Sequence, residues 1–236
     1  MHTSISKNKA IFRKNYPLIY DVNHNRLKLI FFTLFLLLLF SIRNGPNYNY
    51  LHSLSLGYKL KGTDNMYDYY VPLCSALFII YTFFYEYDSE SYKYIAYINR
   101  NNFNYIMLYR WLLSTLIFVL GSFITGLIYY RDISFLDLTN IILSIRFIPN
   151  ILFLASIALL IATIFKNIYA SILLLSTYYC IDLYSSGNIF KLLSIGANSN
   201  NFYYTHSPKY YIINRVMILF LSIIFLLISC KKSSKI

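Results

Sequence analysis

Long apolar runs separated by short polar segments recur along almost the whole chain of 236 residues. A transmembrane α-helix needs about 17–25 predominantly apolar residues, and the runs reach or approach that length. Their succession predicts an all-α polytopic membrane protein with six transmembrane helices. The predicted spans are residues 27–42, 69–85, 105–130, 145–165, 168–184 and 210–230.

Polar and helix-breaking residues mark the ends of these spans. The first span stops at residues 43–46, which read Arg-Asn-Gly-Pro. No small-residue cleavage site follows it, so we expect it to be retained rather than removed as a signal peptide. Only Lys166 and Asn167 separate the fourth and fifth spans, which predicts a tight antiparallel hairpin.

The composition changes this picture little. Hydrophobic residues make up 58% of the chain and charged residues 13%, whereas a soluble domain carries about a quarter charged residues. The net charge of +12 does not indicate a nucleic-acid partner, because most basic residues flank apolar spans and can contact anionic headgroups. The sparse cysteines, Cys74, Cys180 and Cys230, form neither a disulfide framework nor a metal cluster. The expected surroundings are a lipid bilayer.

The distribution of basic residues predicts the orientation. With both termini in the cytoplasm, 13 of the 21 Lys and Arg residues lie inside, as the positive-inside rule requires. These are Lys7, Lys9, Arg13, Lys14, Arg26, Lys28, Lys93, Arg100, Arg110, Lys166, Lys231, Lys232 and Lys235. Residues 231–236 then form a basic cytoplasmic tail. Frequent Ile, Asn, Lys and Tyr fit an AT-rich bacterial genome, so we expect the cytoplasmic membrane of a bacterium.

The sequence contains no recognisable catalytic or metal-binding pattern. Its histidines, at positions 2, 24, 52 and 206, all lie in predicted extramembrane segments, and no His-Glu-x-x-His motif occurs. Gly57 and Gly62 have the spacing of a phosphate-binding loop, but Thr63 stands where the loop requires Lys. No Gly-x-Ser-x-Gly elbow is present. We therefore expect neither an enzyme nor a bound metal or cofactor.

The predicted cytoplasmic loop over residues 86–104 contains a short amphipathic helix. Tyr94, Ile95, Tyr97 and Ile98 recur at helical spacing and form one apolar stripe. The polar positions around that stripe are Glu86, Asp88, Glu90, Lys93 and Arg100. Two interpretations stay open: a surface helix that only links two spans, or a helix that inserts into a partner protein.

The segment over residues 1–26 is basic and amphipathic. Lys7, Lys9, Arg13 and Lys14 alternate with apolar residues up to Pro17. This pattern is typical of an interfacial anchor helix, and a disordered basic tail is the alternative.

Charged side chains inside a membrane span cost free energy, and they usually pair with a group of opposite charge or with backbone carbonyls. Arg146 begins the fourth span and Asp182 nearly ends the fifth, so the hairpin brings both to the same leaflet. Their depths differ by roughly 6 Å at 1.5 Å per residue. We expect an intramembrane ion pair between them, with a role in a substrate pathway or simple headgroup exposure as alternatives.

Small residues predict where helices approach closely. The third span carries Gly121, Ser122, Thr125 and Gly126, which form two overlapping small-xxx-small pairs. Helix packing within one subunit is the favoured interpretation over a dimer seam.

Taken together, these features resemble the type-two ATP-binding-cassette (ABC) transporter permeases over nearly the full chain. Residues 84–100 and Arg110 are similar to the family's acidic residue after span two, its coupling helix and the basic residue that opens span three. Residues 160–175 are similar to its short turn between spans four and five. The match departs at Asn99, where the family has Ser, and at Glu90, where Gly is common.

The resemblance implies a dimer of such subunits that is driven by separate cytoplasmic ABC ATPase subunits, which bind ATP and Mg²⁺ and grip the coupling helices. It assigns Glu86, Asp88, Glu90, Lys93, Tyr94, Ile95 and Arg100 to that contact. By analogy the substrate is hydrophobic or amphipathic, such as an antimicrobial or toxin peptide. The alternative is a stand-alone membrane immunity or binding protein without ATP-driven transport.

Overall fold

The computed structural model describes residues 25–46, 64–98, 103–131, 138–185, 187–196 and 208–233. Within these residues the regular structure is entirely helical. The α-helices are α1 (Asn25–Arg43), α2 (Val71–Asp88), α3 (Tyr92–Ile98), α4 (Phe103–Tyr129), α5 (Leu138–Ile145), α6 (Ile148–Phe165), α7 (Ile168–Tyr184) and α8 (Pro208–Ser233). A π-helical turn, Met66–Tyr70, leads directly into α2, and a 3-10 turn covers Lys191–Leu193.

Five helical stretches in the described chain are long and apolar enough to cross a membrane. They are Asn25–Arg43, Met66–Asp88, Phe103–Tyr129, Asn140–Phe165 and Tyr210–Ser233. The remaining predicted span corresponds to α7, an apolar helix of 17 residues. The chain is therefore an all-α, multi-pass membrane protein.

The helices that carry the second and fourth predicted spans begin three to five residues before those spans. The second span begins at Met66 rather than at residue 69, and the fourth begins near Asn140 rather than at 145. The fourth span is also interrupted, because α5 ends at Ile145 and α6 restarts with Pro149 in its first turn. The extension of the second span carries Asp68 into the helical bundle, where Arg146 lies at the break between α5 and α6.

Helix α6 lies at the centre of the bundle, in contact with α2, α4, α7 and α8. Its small buried residues Ala155, Ala158 and Ala162 let neighbouring helices approach closely. The Ser171 hydroxyl of α7 donates a hydrogen bond to the Ala158 carbonyl at 2.7 Å, which fixes the two arms of the hairpin against each other.

The predicted small residues of α4 lie at two contacts, one with α1 and one with the break between α5 and α6. A Cβ atom at Gly121 would overlap the Leu34 side chain of α1. A Cβ atom at Gly126 would lie 3.3 Å from the Phe147 ring. Ser122 and Thr125 are buried between these glycines, and Thr125 Oγ1 donates to the Ser122 carbonyl at 3.0 Å. All four residues thus lie at contacts within this chain.

Several predictions fall on residues outside the described ranges. They concern the interfacial segment up to residue 24, Arg100, the histidines and the end of the basic tail after Ser233.

Candidate functional site

The loop between α2 and α4 folds into a turn and the predicted short helix. Ser89 N donates to the Tyr85 carbonyl at 3.1 Å as α2 ends, and Lys93 N donates to the Glu90 carbonyl at 3.1 Å as α3 begins. Glu90 adopts φ 55°, a left-handed conformation that favours glycine. This turn sets the direction in which α3 leaves the bundle.

Of the apolar stripe predicted for α3, only Ile95 lies on the side of the helix that packs on the bundle. Tyr92 and Ala96 are buried, Ile95 is half-buried, and the Tyr92 ring stacks on Tyr87 at 4.9 Å. The opposite face consists of Tyr94, Tyr97 and Ile98, whose exposed fractions are 75%, 78% and 77%. We call these three residues the exposed α3 face.

A buried ion pair fixes the base of this region. Arg110 Nη1 donates to both carboxylate oxygens of Glu86 at 2.6 Å, and Arg110 Nη2 donates to the Thr82 carbonyl at 2.8 Å. The guanidinium also lies 4.6 Å from the centre of the Phe83 ring. Glu86, which the resemblance assigns to the ATPase contact, joins α2 to α4 within the chain.

Other polar residues predicted for the coupling region form local contacts. Asp88 accepts a hydrogen bond of 3.0 Å from the Tyr169 hydroxyl, which connects the end of α2 to the start of α7. Glu90 and Lys93 form an exposed ion pair one helical turn apart. The hydrogen bond from Lys93 Nζ to the Glu90 carboxylate raises the pKa of the Lys93 ammonium group. The loop and the α6–α7 hairpin therefore lie together at one end of the bundle, which we call the α3 end.

The opposite end contains buried charged groups, beginning with Asp68. The fully buried Asp68 carboxylate forms an ion pair with Arg146, and Arg215 Nη2 lies 3.8 Å from its other oxygen. The sequence had predicted Asp182 as the partner of Arg146. Asp68 takes that role because the π-helical turn carries it into the bundle beside the break between α5 and α6.

Asp182 instead binds a loop segment that returns into the bundle. Its Oδ2 atom accepts hydrogen bonds from Ile195 N at 2.9 Å, Ser194 Oγ at 3.0 Å and Gly196 N at 3.4 Å. A Cβ atom at Gly196 would overlap the Tyr69 hydroxyl, so only glycine fits against that ring. The carboxylate therefore anchors residues 187–196, which we call the 187–196 segment.

Donors from two further helices hold the carbonyl groups of this segment. Asn150 Nδ2 donates to the Ile195 carbonyl at 2.6 Å, and Arg215 Nη1 donates to the same oxygen at 3.1 Å. Asn214 Nδ2 donates to the Ser194 carbonyl at 2.9 Å. We call the buried side chains of this end the polar cluster: Asp68, Arg146, Asn150, Asp182, Asn214 and Arg215.

Most of this polar cluster is not apparent from the sequence. Arg215 and Asn214 lie inside the sixth predicted span, where a charged residue is by itself a signal of a buried partner. Asp68 gives a weaker signal, because it precedes the apolar run. Asn150 gives none, because an isolated amide beside a proline is typical of a span end.

Next to the polar cluster, burial raises the pKa of the Asp64 carboxyl. Asp64 precedes the π-helical turn, where its Oδ1 accepts from Met66 N at 3.0 Å and its own N–H donates to Asp68 Oδ2 at 3.0 Å. These contacts fix the entry into α2 and orient the Asp68 carboxylate toward the arginines.

Among the residues that the structure describes, no three His, Cys, Asp or Glu side chains come together as a metal site. The two ends thus consist of an exposed apolar helix face and a network of buried ion pairs and hydrogen bonds.

Comparison of the chain with protein families, curated proteins and solved structures finds no match.

Proposed function

We propose that this chain is the permease subunit of an ABC transporter, driven by separate cytoplasmic ATPase subunits. In this proposal the chain crosses the membrane six times, with α7 as the short fifth span and both termini in the cytoplasm. Two copies, or this chain and a paralogue, form the transport pathway.

The observation that carries the proposal is the exposed α3 face. Tyr94, Tyr97 and Ile98 project from a short helix whose other side packs on the bundle. The Glu86–Arg110 ion pair and the Asp88–Tyr169 hydrogen bond hold its surroundings in position. A rigidly held helix with an exposed aromatic face has the properties of a contact that transmits motion from a partner protein.

Two further features support the resemblance to the permease family. Glu90 stands where the family commonly has Gly, and its φ of 55° is the conformation that glycine favours. The family-like turn at Lys166 and Asn167 lies beside the loop, because Tyr169 contacts Asp88. Both segments that carry the resemblance are therefore at the α3 end.

The basic residues favour a cytoplasmic α3 end. Lys93, Arg110 and Lys166 lie there, and Lys231 and Lys232 end α8. A reporter fused after Lys166 should then be cytoplasmic, whereas one fused after Gly187 should be outside. A cytoplasmic reporter at Gly187 would contradict the six-span topology.

The substrate class follows only from analogy with small permeases that lack extra domains. We propose export of a hydrophobic or amphipathic molecule such as an antimicrobial peptide. A stand-alone immunity protein would protect cells from the same kind of peptide without an ATPase, so the ATPase contact is the decisive test.

The test is co-purification of the full chain with the ATPase encoded by a neighbouring gene. Tyr94→Asp and Tyr97→Asp place a charge on the exposed α3 face and should weaken the association by at least about fivefold, the equivalent of roughly 1 kcal/mol. Resistance or export in cells should fall in parallel, while the amount of chain in the membrane stays unchanged.

Tyr184→Asp is the matched control, because Tyr184 is 87% exposed at the other end of the bundle. It should leave ATPase association intact. If the α3 variants retain full association and activity, or if the wild-type chain protects cells without any ATPase, the permease proposal is wrong and the stand-alone immunity function is favoured.

A further inference from the structure

An apolar groove runs between α1, α2 and α4, and its lining includes Met66 and Tyr70 of the π-helical turn that also carries Asp68. Its volume is about 270 Å³. Leu36, Leu37 and Phe40 of α1 form one wall, and Tyr70 and Cys74 form the other. Phe118 of α4 closes the floor.

The surface around the groove is apolar and exposed, as expected of a surface that faces lipid. Helix α1 is the least buried of the long apolar helices, and its neighbouring residues Phe31, Phe32 and Phe35 are more than half exposed. From Thr33 to Phe40 the groove follows α1 for roughly 10 Å at 1.5 Å per residue. This length covers most of one leaflet, which is roughly 15 Å of hydrocarbon.

Positive charge lies at one end of this groove. Arg43 is exposed in the last turn of α1 and continues the helical stripe formed by Leu36 and Phe40. Arg131, just after α4, donates to the Ser41 and Ile42 carbonyls at 2.8 Å. This contact brings a second guanidinium group to the end of α1 where Arg43 lies. An acyl chain in the groove would therefore have its headgroup beside two cations.

We propose that this groove is a binding site for one acyl chain of an anionic glycerophospholipid. The apolar walls contact the chain, and Arg43 with Arg131 attracts the phosphate of the headgroup. The lipid belongs to the leaflet at the C-terminal end of α1, whichever side of the membrane that is. The site does not depend on the transport function proposed above.

The probe is phosphatidylglycerol with a photoreactive diazirine on one acyl chain, mixed into phosphatidylcholine vesicles that contain the full chain. Illumination followed by peptide mass spectrometry should show labels at Leu37, Cys74 and Phe118. Phosphatidylcholine with the same diazirine chain should label these residues less.

Leu36→Trp and Leu39→Trp are a matched pair of variants. Both leucines lie on α1 and are 49% exposed, but only Leu36 lines the groove. Leu36→Trp should reduce groove labelling to the level of other lipid-facing residues, and Leu39→Trp should leave it unchanged. Arg43→Gln should lower the preference for phosphatidylglycerol roughly fivefold, or about 1 kcal/mol.

Three results would overturn the proposal. Equal labelling of the groove in the Leu36→Trp and Leu39→Trp proteins would show that lipid does not occupy it. Equal labelling by both headgroups in the wild type would contradict the anionic site. Crosslinks between two chains at Leu37 or Cys74, in place of lipid adducts, would assign the groove to a second copy.

Discussion

The two ends of the helical bundle handle charged and apolar groups in opposite ways. At one end Asp68, Arg146 and Arg215 are buried, and the Asp68 carboxylate lies between the two guanidinium groups. At the α3 end, Glu90 and Lys93 pair in solvent while the aromatic rings of Tyr94 and Tyr97 are exposed. The first end places opposite charges together within the chain, whereas the second exposes apolar surface. We therefore expect the charged groups of the first end to contribute to stability and the exposed face of the second end to contribute to association.

The largest loss of stability is expected for Asp68→Ala. Removing this carboxylate leaves Arg146 and Arg215 buried without their ion-pair partner, which should lower the free energy of unfolding by about 3–5 kcal/mol. Chemical unfolding of the purified chain in mild detergent measures this difference.

Asp88→Ala is the control at the α3 end, because Asp88 is exposed and binds only the Tyr169 hydroxyl among the described contacts. It should leave the unfolding transition nearly unchanged. If both variants lose the same free energy, the contrast between the two ends is wrong.

Asp182→Ala should have the next largest effect, confined to the 187–196 segment. The substitution removes the acceptor of Ile195 N, Ser194 Oγ and Gly196 N, and hydrogen bonds to a charged group contribute about 1.5–3 kcal/mol. Amide hydrogen exchange at Ile195 should accelerate while exchange in α6 stays slow. Ser185→Ala, at the same end, should leave the amide exchange rates at Ile195 and in α6 unchanged. Faster exchange throughout the bundle of the Asp182→Ala protein would contradict a local anchoring role.

The sequence predicts local structure well where one short pattern is sufficient. Lys166 and Asn167 are the only polar break between two apolar runs, and α6 and α7 end and begin beside them. Lys166 adopts a left-handed φ of 52°, and the Asn167 side chain accepts a hydrogen bond from Tyr169 N at 2.8 Å. Asparagine at a helix N-terminus commonly makes this contact, so the turn can be inferred from adjacent residues alone.

Pairing between distant residues cannot be inferred in that way. Hydropathy assigns Asp68 to water, because a single carboxylate is unfavourable in a bilayer. Asp68 is nevertheless buried, since Arg146 and Arg215 from other parts of the chain neutralise it. The same limit applies to Asp182, whose donors are two backbone N–H groups and the Ser194 hydroxyl of the 187–196 segment, none of which carries a charge.

A smaller effect is expected for Glu86→Gln at the α3 end. Gln retains one oxygen acceptor for Arg110 but removes the negative charge, and the partly exposed site admits water to replace part of the interaction. The expected loss is about 1.5 kcal/mol, the lower end for hydrogen bonds to charged groups. Glu90→Gln is the matched control and should have no measurable effect on unfolding. A larger loss than for Asp182→Ala would show that the ion pair at the α3 end stabilises the fold more than the Asp182 contacts do.

The smallest effect is expected for Tyr97→Ser on the exposed α3 face. Tyr97 is 78% exposed, so removing its ring uncovers little apolar surface within the chain and should leave the melting temperature in detergent unchanged. Tyr87→Ser is the comparison, because Tyr87 is buried against Tyr92 and its loss should cost about 3 kcal/mol or more, as for other buried aromatic side chains. The two tyrosines lie near the same end of the bundle. Tyr87 of α2 packs on the buried side of α3, whereas Tyr97 belongs to the exposed α3 face. If Tyr97→Ser destabilises the chain as much as Tyr87→Ser, the face of α3 that carries Tyr97 packs on this chain and is not free to contact a partner.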